Sequence, residues 1–213
     1  MELQVLWCRT ELLSDARLFH ALLAHQPEAR RARILAIRRP EAQRQSLAAW
    51  SLLEAALDRL GVPAGERQVC AATGGKPYLR SGAVQFNLSH SGGVALCALG
   101  DVPLGADVQA PGPLRPALVR RCCAEEELSW LAGQPEEAFF RLWARKESLL
   151  KACGCGLACD FRSVRCVPGS TVRHAGRTWR FLEERPGGLP ACVCVPENVT
   201  HAFWREESVE KLV

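Results

Sequence analysis

Lysine, methionine and tyrosine are almost missing from this chain. Its 213 residues include one Met, one Tyr and, among 27 lysines and arginines, only the lysines Lys76, Lys146, Lys151 and Lys211. No apolar run approaches the roughly 20 residues of a membrane-spanning helix, so an integral helical membrane protein is excluded and no membrane partner is expected. Polar and charged residues follow Met1 to Trp7 where a secretory signal would place an apolar stretch, so the expected location is cytoplasmic. Cysteine, by contrast, is plentiful, with 11 residues. The odd count in a long chain without a secretory signal argues for reduced thiols. Cys155 and Cys159 fit the spacing of a zinc-ligand pair, but Cys192 and Cys194 are too close to supply the second pair and alternate as in a strand. Small buried apolar side chains are the reading for most of these cysteines. His20, His25, His174 and His201 show no metal-ligand spacing.

The net charge of +4 is modest and nearly all arginine. Arg30, Arg31, Arg33, Arg38, Arg39 and Arg44 cluster early. A helical basic patch of that kind suits nucleic acid, a phosphate-rich small molecule or an acidic protein, and equally a solvated helix face.

A chain of this length makes one large domain or two small ones. Leu3 to Trp7 is expected as a strand and Leu47 to Leu60 as an amphipathic helix stopped by Gly61 and Pro63. Thr73 to Tyr78 reads as a glycine turn with Lys76 at its exit. Val84 to His90 and Val94 to Leu99 read as a hairpin across Ser91 to Gly93. Leu104 to Gln109 is a further strand, Pro111 to Pro116 the linker between halves, and Leu118 to Leu131 a helix whose acidic run Glu125, Glu126 and Glu127 is mostly a solvated face. After a helix over Phe139 to Lys151, Gly154 and Gly156 break the pattern. Strand-like pieces follow at Ser163 to Cys166, Thr178 to Leu182, Ala191 to Val195 and His201 to Trp204. Both halves run from helix to strands, which predicts an α+β protein of two related lobes, 1–102 and 103–213, with a site between them.

Chemistry concentrates in three stretches. In Phe139 to Lys151, Glu147 and Lys151 stand at i and i+4, so on a helix they are neighbours at roughly 5–6 Å between Cβ atoms, with Trp143 one turn earlier. An ordinary helical ion pair accounts for that spacing. The second stretch, Leu104 to Gln109, turns Asp107 and Gln109 to one strand face. Their oxygens with that of Glu147 make a hard, all-oxygen set of the kind magnesium prefers, completed by water and substrate phosphate at about 2.0–2.1 Å. In the third, Asn87 to Gly92, hydroxyls, backbone amides and the His90 imidazole at a glycine turn form an anion pocket, unless His90 serves only as a structural cap.

Phe86 to Gly92 (FNLSHSG), Leu104 to Gln109 (LGADVQ) and Trp143 to Lys151 (WARKESLLK), in this order and spacing, resemble the signature motifs of 4′-phosphopantetheinyl transferases of the surfactin-synthetase-activating type. Gly75 to Pro77 is similar to the loop preceding them and Arg44 with Leu47 to an early helix, so the resemblance spans about Arg30 to Gly156. It implies a monomer of two α+β lobes related by a pseudo-twofold axis, with coenzyme A in the cleft as substrate. By the same resemblance, Asp107, Gln109 and Glu147 match the ligands of Mg²⁺, or of Mn²⁺ in its place. Gly75, Lys76, Asn87, Leu88, Ser89, His90 and Lys146 fall where coenzyme A is held, His90 at its phosphate. Arg44, Arg30 and Arg33 match positions for the 3′-phosphate, Lys151 matches the lysine at the pyrophosphate, and Glu127 a further acid near the metal.

The implied reaction moves 4′-phosphopantetheine from coenzyme A to a serine of an acyl or peptidyl carrier protein and releases 3′,5′-ADP. The partners are then carriers of fatty acid, polyketide or non-ribosomal peptide synthesis, with no nucleic acid. Glu147, Lys151 and Asp107 are the residues expected to carry catalysis. Two departures stand out: Gln109 replaces the usual glutamate, and the helix motif mixes two subgroup patterns. The alternatives are a binding module for coenzyme A or a nucleotide with a decayed metal site, and a magnesium-dependent nucleotide pyrophosphate hydrolase.

Overall fold

Strand alternation and helix caps divide the chain much as its pattern suggests. The computed structural model describes residues 1–213 apart from 73, 156–158 and 170, so the start of the glycine turn at Thr73 and the expected break at Gly156 lie outside the described residues. Strand β1 (Gln4–Arg9) leads to helices α1 (Ala16–Ala24), α2 (Glu28–Leu35) and α3 (Pro40–Arg59). Pro40 opens α3, where its missing N–H costs nothing. Gly61 follows the helix with φ +66°, a left-handed conformation that glycine adopts without strain.

A small ladder of β2 (Val69–Ala71) and β3 (Pro77–Leu79) precedes β4 (Gln85–Ser91), β5 (Val94–Gly100) and β6 (Gly105–Val108). Helices α4 (Pro116–Cys122), α5 (Glu125–Leu131) and α6 (Glu137–Cys153) follow, then β7 (Val172–His174), β8 (Arg177–Glu184), β9 (Ala191–Pro196) and β10 (Phe203–Glu206).

The strands form two four-stranded sheets, β10-β1-β5-β4 and β6-β9-β8-β7. The path β1, α3, β4, β5 with strand order β1-β5-β4 repeats as β6, α6, β8, β9 with order β6-β9-β8. The fold is thus α+β and internally repeated. Alternation on β1 and β5 supplies two cores at once. Leu6, Cys8, Cys97 and Leu99 pack under α3, whereas Val5, Leu96 and Ala98 face Ala106, Val108, Val193 and Val195 of the second sheet. A third core lies beneath α6, around Phe139, Leu142, Leu149 and Trp179. Buried apolar surface at about 25 cal/mol per Å² makes these three cores the main stabilising element.

The two sheets also meet edge to edge. Strands β4 and β6 are both edge strands, and the side chains of β4 substitute for a backbone ladder. Asn87 Oδ1 accepts the Ala106 N–H at 2.7 Å, Ser89 Oγ the Val108 N–H at 3.2 Å and Ser91 Oγ the Ala110 N–H at 3.0 Å. An exposed strand edge is thereby satisfied without continuing the sheet.

Four expectations need correction. Leu118 to Leu131 is two helices, because Cys123 is extended and buried, and Glu127 accepts the Ala124 N–H to cap α5. Ser163 to Cys166 forms no strand; it follows a 3₁₀ turn, and its carbonyls are taken by side chains of α6. The segment Pro111 to Pro116 joins β6 to α4 and so lies within the second half. Finally, a second lobe of 103–213 includes β10, yet β10 pairs in parallel with β1 in the first sheet.

Candidate active site

Gly105 brings the site together. A Cβ there would collide with the Ser148 carbonyl oxygen and the Ala152 amide of α6, so only glycine lets helix and strand pack backbone to backbone. That approach sets one face of α6 directly on β6. Asp107, two residues along the strand, points to the same side as Gly105 and meets Lys151.

Lys151 Nζ lies 2.6 Å from Asp107 Oδ1 and also donates to the Ala106 carbonyl at 3.0 Å and to Ser89 Oγ at 3.3 Å. Ser89 Oγ donates to the same Asp107 oxygen at 2.8 Å. The other carboxylate oxygen, Asp107 Oδ2, is buried and has no hydrogen-bond partner. A buried anionic oxygen without a partner is costly unless something positive completes it.

That oxygen belongs to a residue lining a cavity of 360 Å³, with walls from both halves. Ser46, Ala49 and Trp50 come from α3, Leu88, Ser89 and His90 from β4, Pro77 from β3, Asp107 and Gln109 from β6 and just beyond it, and Trp143, Glu147 and Lys151 from α6. Burial and then the neighbouring Asp107 charge push the Glu147 carboxyl up, against the pull of Lys151. Desolvation and then Lys151 hold the His90 imidazole down, although part of its ring faces solvent. His90 Nδ1 lies 3.2 Å from Gln45 Oε1, and the Gln45 amide nitrogen already donates to Glu41. The amide oxygen therefore takes the Nδ1–H, which leaves Nε2 as the free acceptor of the neutral ring.

The set fits a hard divalent cation. Two carboxylates and one amide oxygen, from Asp107, Glu147 and Gln109, share the cavity; among the described residues no sulfur lines it, and one carboxylate oxygen lacks a partner.

Other expected residues are placed differently. Lys146 is 1% exposed, pairs with Glu127 at 2.6 Å and donates to the carbonyls of Phe161 at 2.7 Å and Val164 at 2.6 Å. Its ammonium points into the second lobe's core, because one residue along a helix is a turn of about 100° from Glu147. Glu127, itself 0% exposed, also accepts the Cys166 N–H at 2.8 Å. Neither residue lines the cavity, so the structure puts a structural pair where coenzyme A and metal contacts were expected.

Lys76 donates to the Leu104 carbonyl at 2.7 Å, and burial pushes its ammonium down to about 8. It ties the glycine turn to the second half and is also absent from the cavity wall, as is Asn87, whose oxygen is bonded to Ala106. Gly75 turns the chain with φ +81° and donates to the Ala72 carbonyl. Arg44 is half-buried on α3, two residues before the cavity-lining Ser46 and six before Trp50. Arg30 lies over the Trp50 ring at 3.0 Å, with one guanidinium nitrogen, Nη1, buried and unpartnered. Arg33 is exposed on α2. Sequence reasoning missed Trp50 and Gln45; nothing local marks either, since both sit inside an ordinary amphipathic pattern.

The fold and site define a class: a two-lobed α+β protein with an acidic, lysine-braced cleft at the lobe junction. The family model of the 4′-phosphopantetheinyl transferase superfamily matches residues 103–194. The 4′-phosphopantetheinyl transferase HetI of a Nostoc species is 34% identical over 161 residues, covering 69% of this chain and 68% of that protein. The 4′-phosphopantetheinyl transferase Sfp of Bacillus subtilis is 34% identical over 138 residues, 57% of this chain and 61% of the relative. A 4′-phosphopantetheinyl transferase of Bacillus pumilus is 37% identical over 89 residues, 39% of this chain and 38% of the relative. The matches to the two Bacillus proteins thus span less than two thirds of those proteins. The chain belongs to the 4′-phosphopantetheinyl transferase superfamily.

Proposed function

We propose that this protein transfers the 4′-phosphopantetheine group of coenzyme A to a serine hydroxyl of an acyl or peptidyl carrier protein and releases 3′,5′-ADP. The observation that carries the reading is the clustering of Asp107, Glu147, Lys151 and His90 around one cavity, with Asp107 Oδ2 buried and open. Asp107 and Glu147, with Gln109 as a neutral third donor, would hold Mg²⁺ or Mn²⁺. A cation held there would neutralise the charge that grows on the 5′-phosphate of the departing 3′,5′-ADP.

The chain's own groups supply the rest. Lys151, braced by Asp107, Ser89 and the Ala106 carbonyl, presents a fixed positive charge to the pyrophosphate and need not reorganise during reaction. Glu147, its carboxyl raised by burial and by Asp107, is suited to take the serine proton as the oxygen attacks the β-phosphorus. His90, with Nδ1–H committed to Gln45, would donate from Nε2 to a phosphate oxygen once a proton is gained there, and Arg30, Arg33 and Arg44 on α2 and α3 offer positive charge for the 3′-phosphate. Serine oxygen gains a bond to phosphorus as the bond to the ADP oxygen breaks, and the serine proton passes to Glu147.

The exposed arginines near the cleft suit the acidic surface of a carrier protein. We place the protein in the cytoplasm as a monomer; no helix among the described residues is long and apolar enough to cross a membrane. The test is intact mass of an apo carrier protein incubated with this protein, coenzyme A and Mg²⁺, with a chelator control. A metal-dependent gain of one phosphopantetheine is expected. Failure across several carriers, with coenzyme A still bound, would favour a binding module.

A further inference from the structure

The second lobe holds a group of metal-binding side chains well apart from the cleft. Cys155, Cys159 and His174 are half-buried, and their sulfur and imidazole nitrogen atoms lie within 4.8 Å of one another. None of the three lines the cavity described above.

Each ligand is carried on a piece of chain held by its own bonds. Cys155 follows Gly154, which ends α6 in the left-handed conformation at φ 71°. Cys159 precedes Asp160, whose carboxylate accepts the Arg162 N–H at 3.0 Å and whose carbonyl accepts from Ser163 Oγ at 2.6 Å. His174 sits at the tip of the β7–β8 hairpin, paired with Arg177, and its carbonyl accepts from Trp179 Nε1 at 3.1 Å. The Cys159-to-His174 separation is too long for any local zinc pattern, and the hairpin closes it in space.

We propose that Cys155, Cys159 and His174 form a structural zinc site that clasps the segment after α6 to the β7–β8 hairpin. Thiolate with imidazole is the donor set that selects Zn²⁺ over Mg²⁺ or Ca²⁺. With Zn–S of about 2.3 Å and Zn–N of about 2.0–2.1 Å, neighbouring ligand atoms in a tetrahedral centre stand roughly 3.3–3.8 Å apart, so the observed group needs to contract by about 1 Å. Two thiolates and a neutral imidazole balance the dication's charge, which suits a half-buried position beside Phe161 and Val172. Cys155 Sγ also lies 4.0 Å from the Cys153 carbonyl oxygen, and a water molecule would take the fourth position.

The test is a Co²⁺ titration of the full chain, reduced and stripped of metal, followed by visible and near-ultraviolet absorption. One equivalent should produce the intense bands of a tetrahedral cobalt–thiolate centre, and Zn²⁺ should displace them. Any Co²⁺ at the all-oxygen cleft gives only the weak bands of octahedral cobalt, and E147Q should leave the intense bands in full. C155S, C159S and H174Q should each weaken Co²⁺ binding by roughly a hundredfold or more. Their circular dichroism in the absence of metal should match the parent, and the Zn²⁺-dependent rise in melting temperature should vanish in H174Q. Intense bands that survive H174Q and C155S would overturn the proposal by placing the metal on other thiols. Absence of bands in the reduced chain, with a mass two hydrogens lower when reductant is withheld, would overturn it in favour of a Cys155–Cys159 disulfide.

Discussion

Lys151 neutralises only one oxygen of Asp107. Its ammonium, at 2.6 Å, and the Ser89 hydroxyl, at 2.8 Å, both engage Oδ1, while Oδ2 is buried without a partner. The carboxylate is therefore divided between a structural half that fixes its direction and a half available to a ligand. Replacing Asp107 by Asn should keep the fold, since an amide oxygen still accepts from Lys151 and Ser89, and should cost about 10²–10³ in the rate of carrier modification. Unchanged rates at saturating Mg²⁺ would remove Asp107 from the site.

Glu147 is the second acid at the cavity. Glu147→Ala should abolish transfer to the carrier while leaving circular dichroism and melting temperature near those of the parent. Parent-level activity in that variant would take Glu147 out of the reaction.

Gln109 contributes an uncharged oxygen where an anion would bind a cation more tightly. Gln109→Glu should lower the Mg²⁺ concentration for half-maximal activity by roughly tenfold, as an added ligand charge does. Superimposable Mg²⁺ titrations of the two proteins would mean that position 109 does not reach the ion.

Lys146 and Glu127 are a buried pair, so removing one partner strands the other. Lys146→Met should destabilise the protein by about 3–5 kcal/mol, whereas the double change to Met and Gln, which removes the stranded charge and keeps an acceptor for the Ala124 and Cys166 N–H groups, should recover part of that loss. Denaturant midpoints of the single and double variants decide this. If Lys146 instead held coenzyme A, the single variant would keep its stability and lose ligand affinity.

Lys76 gives stability a pH dependence with a definite sign. Burial holds its ammonium down to about 8 in the folded chain, against about 10.4 when unfolded. Between those values the unfolded chain binds more protons, so stability rises with pH from about 8 to about 10 and is flat from this group below that window. Lys76→Met should remove that rise, read from denaturant midpoints across the same range. A persisting slope would assign it to another group.

Much of this fold was legible because its main elements carry strong local periodicity. Helices α3 and α6, the β4–β5 hairpin and strands β6, β8 and β9 announce themselves by alternation, proline and glycine. Asp107, Glu147, Lys151 and His90, which line one cavity, were legible as a candidate site because their residue types are expensive to place among apolar neighbours. What stayed hidden depended on direction around a helix or on partners far away in sequence. Lys146 is adjacent to Glu147 in sequence but faces the opposite environment. Asn87 and Ser89 read as ligand-holding groups, whereas their oxygens also staple one sheet edge to another. Ser163 to Cys166 reads as a strand, yet Lys146 and Arg145 take the carbonyls of Val164 and Cys166 that a ladder would use.

The parallel pairing of β10 with β1 brings Phe203 beside Gln4, a separation of 199 residues (203 − 4). Ordering a loop of that length is entropically unfavourable, and contacts so distant form late in folding. During synthesis the first sheet must wait, with one edge of β1 bare, until residues 203–206 have left the ribosome. The two halves are therefore repeats in architecture but a single unit in assembly, and a chain cut after residue 102 would leave its first half with an open, aggregation-prone strand.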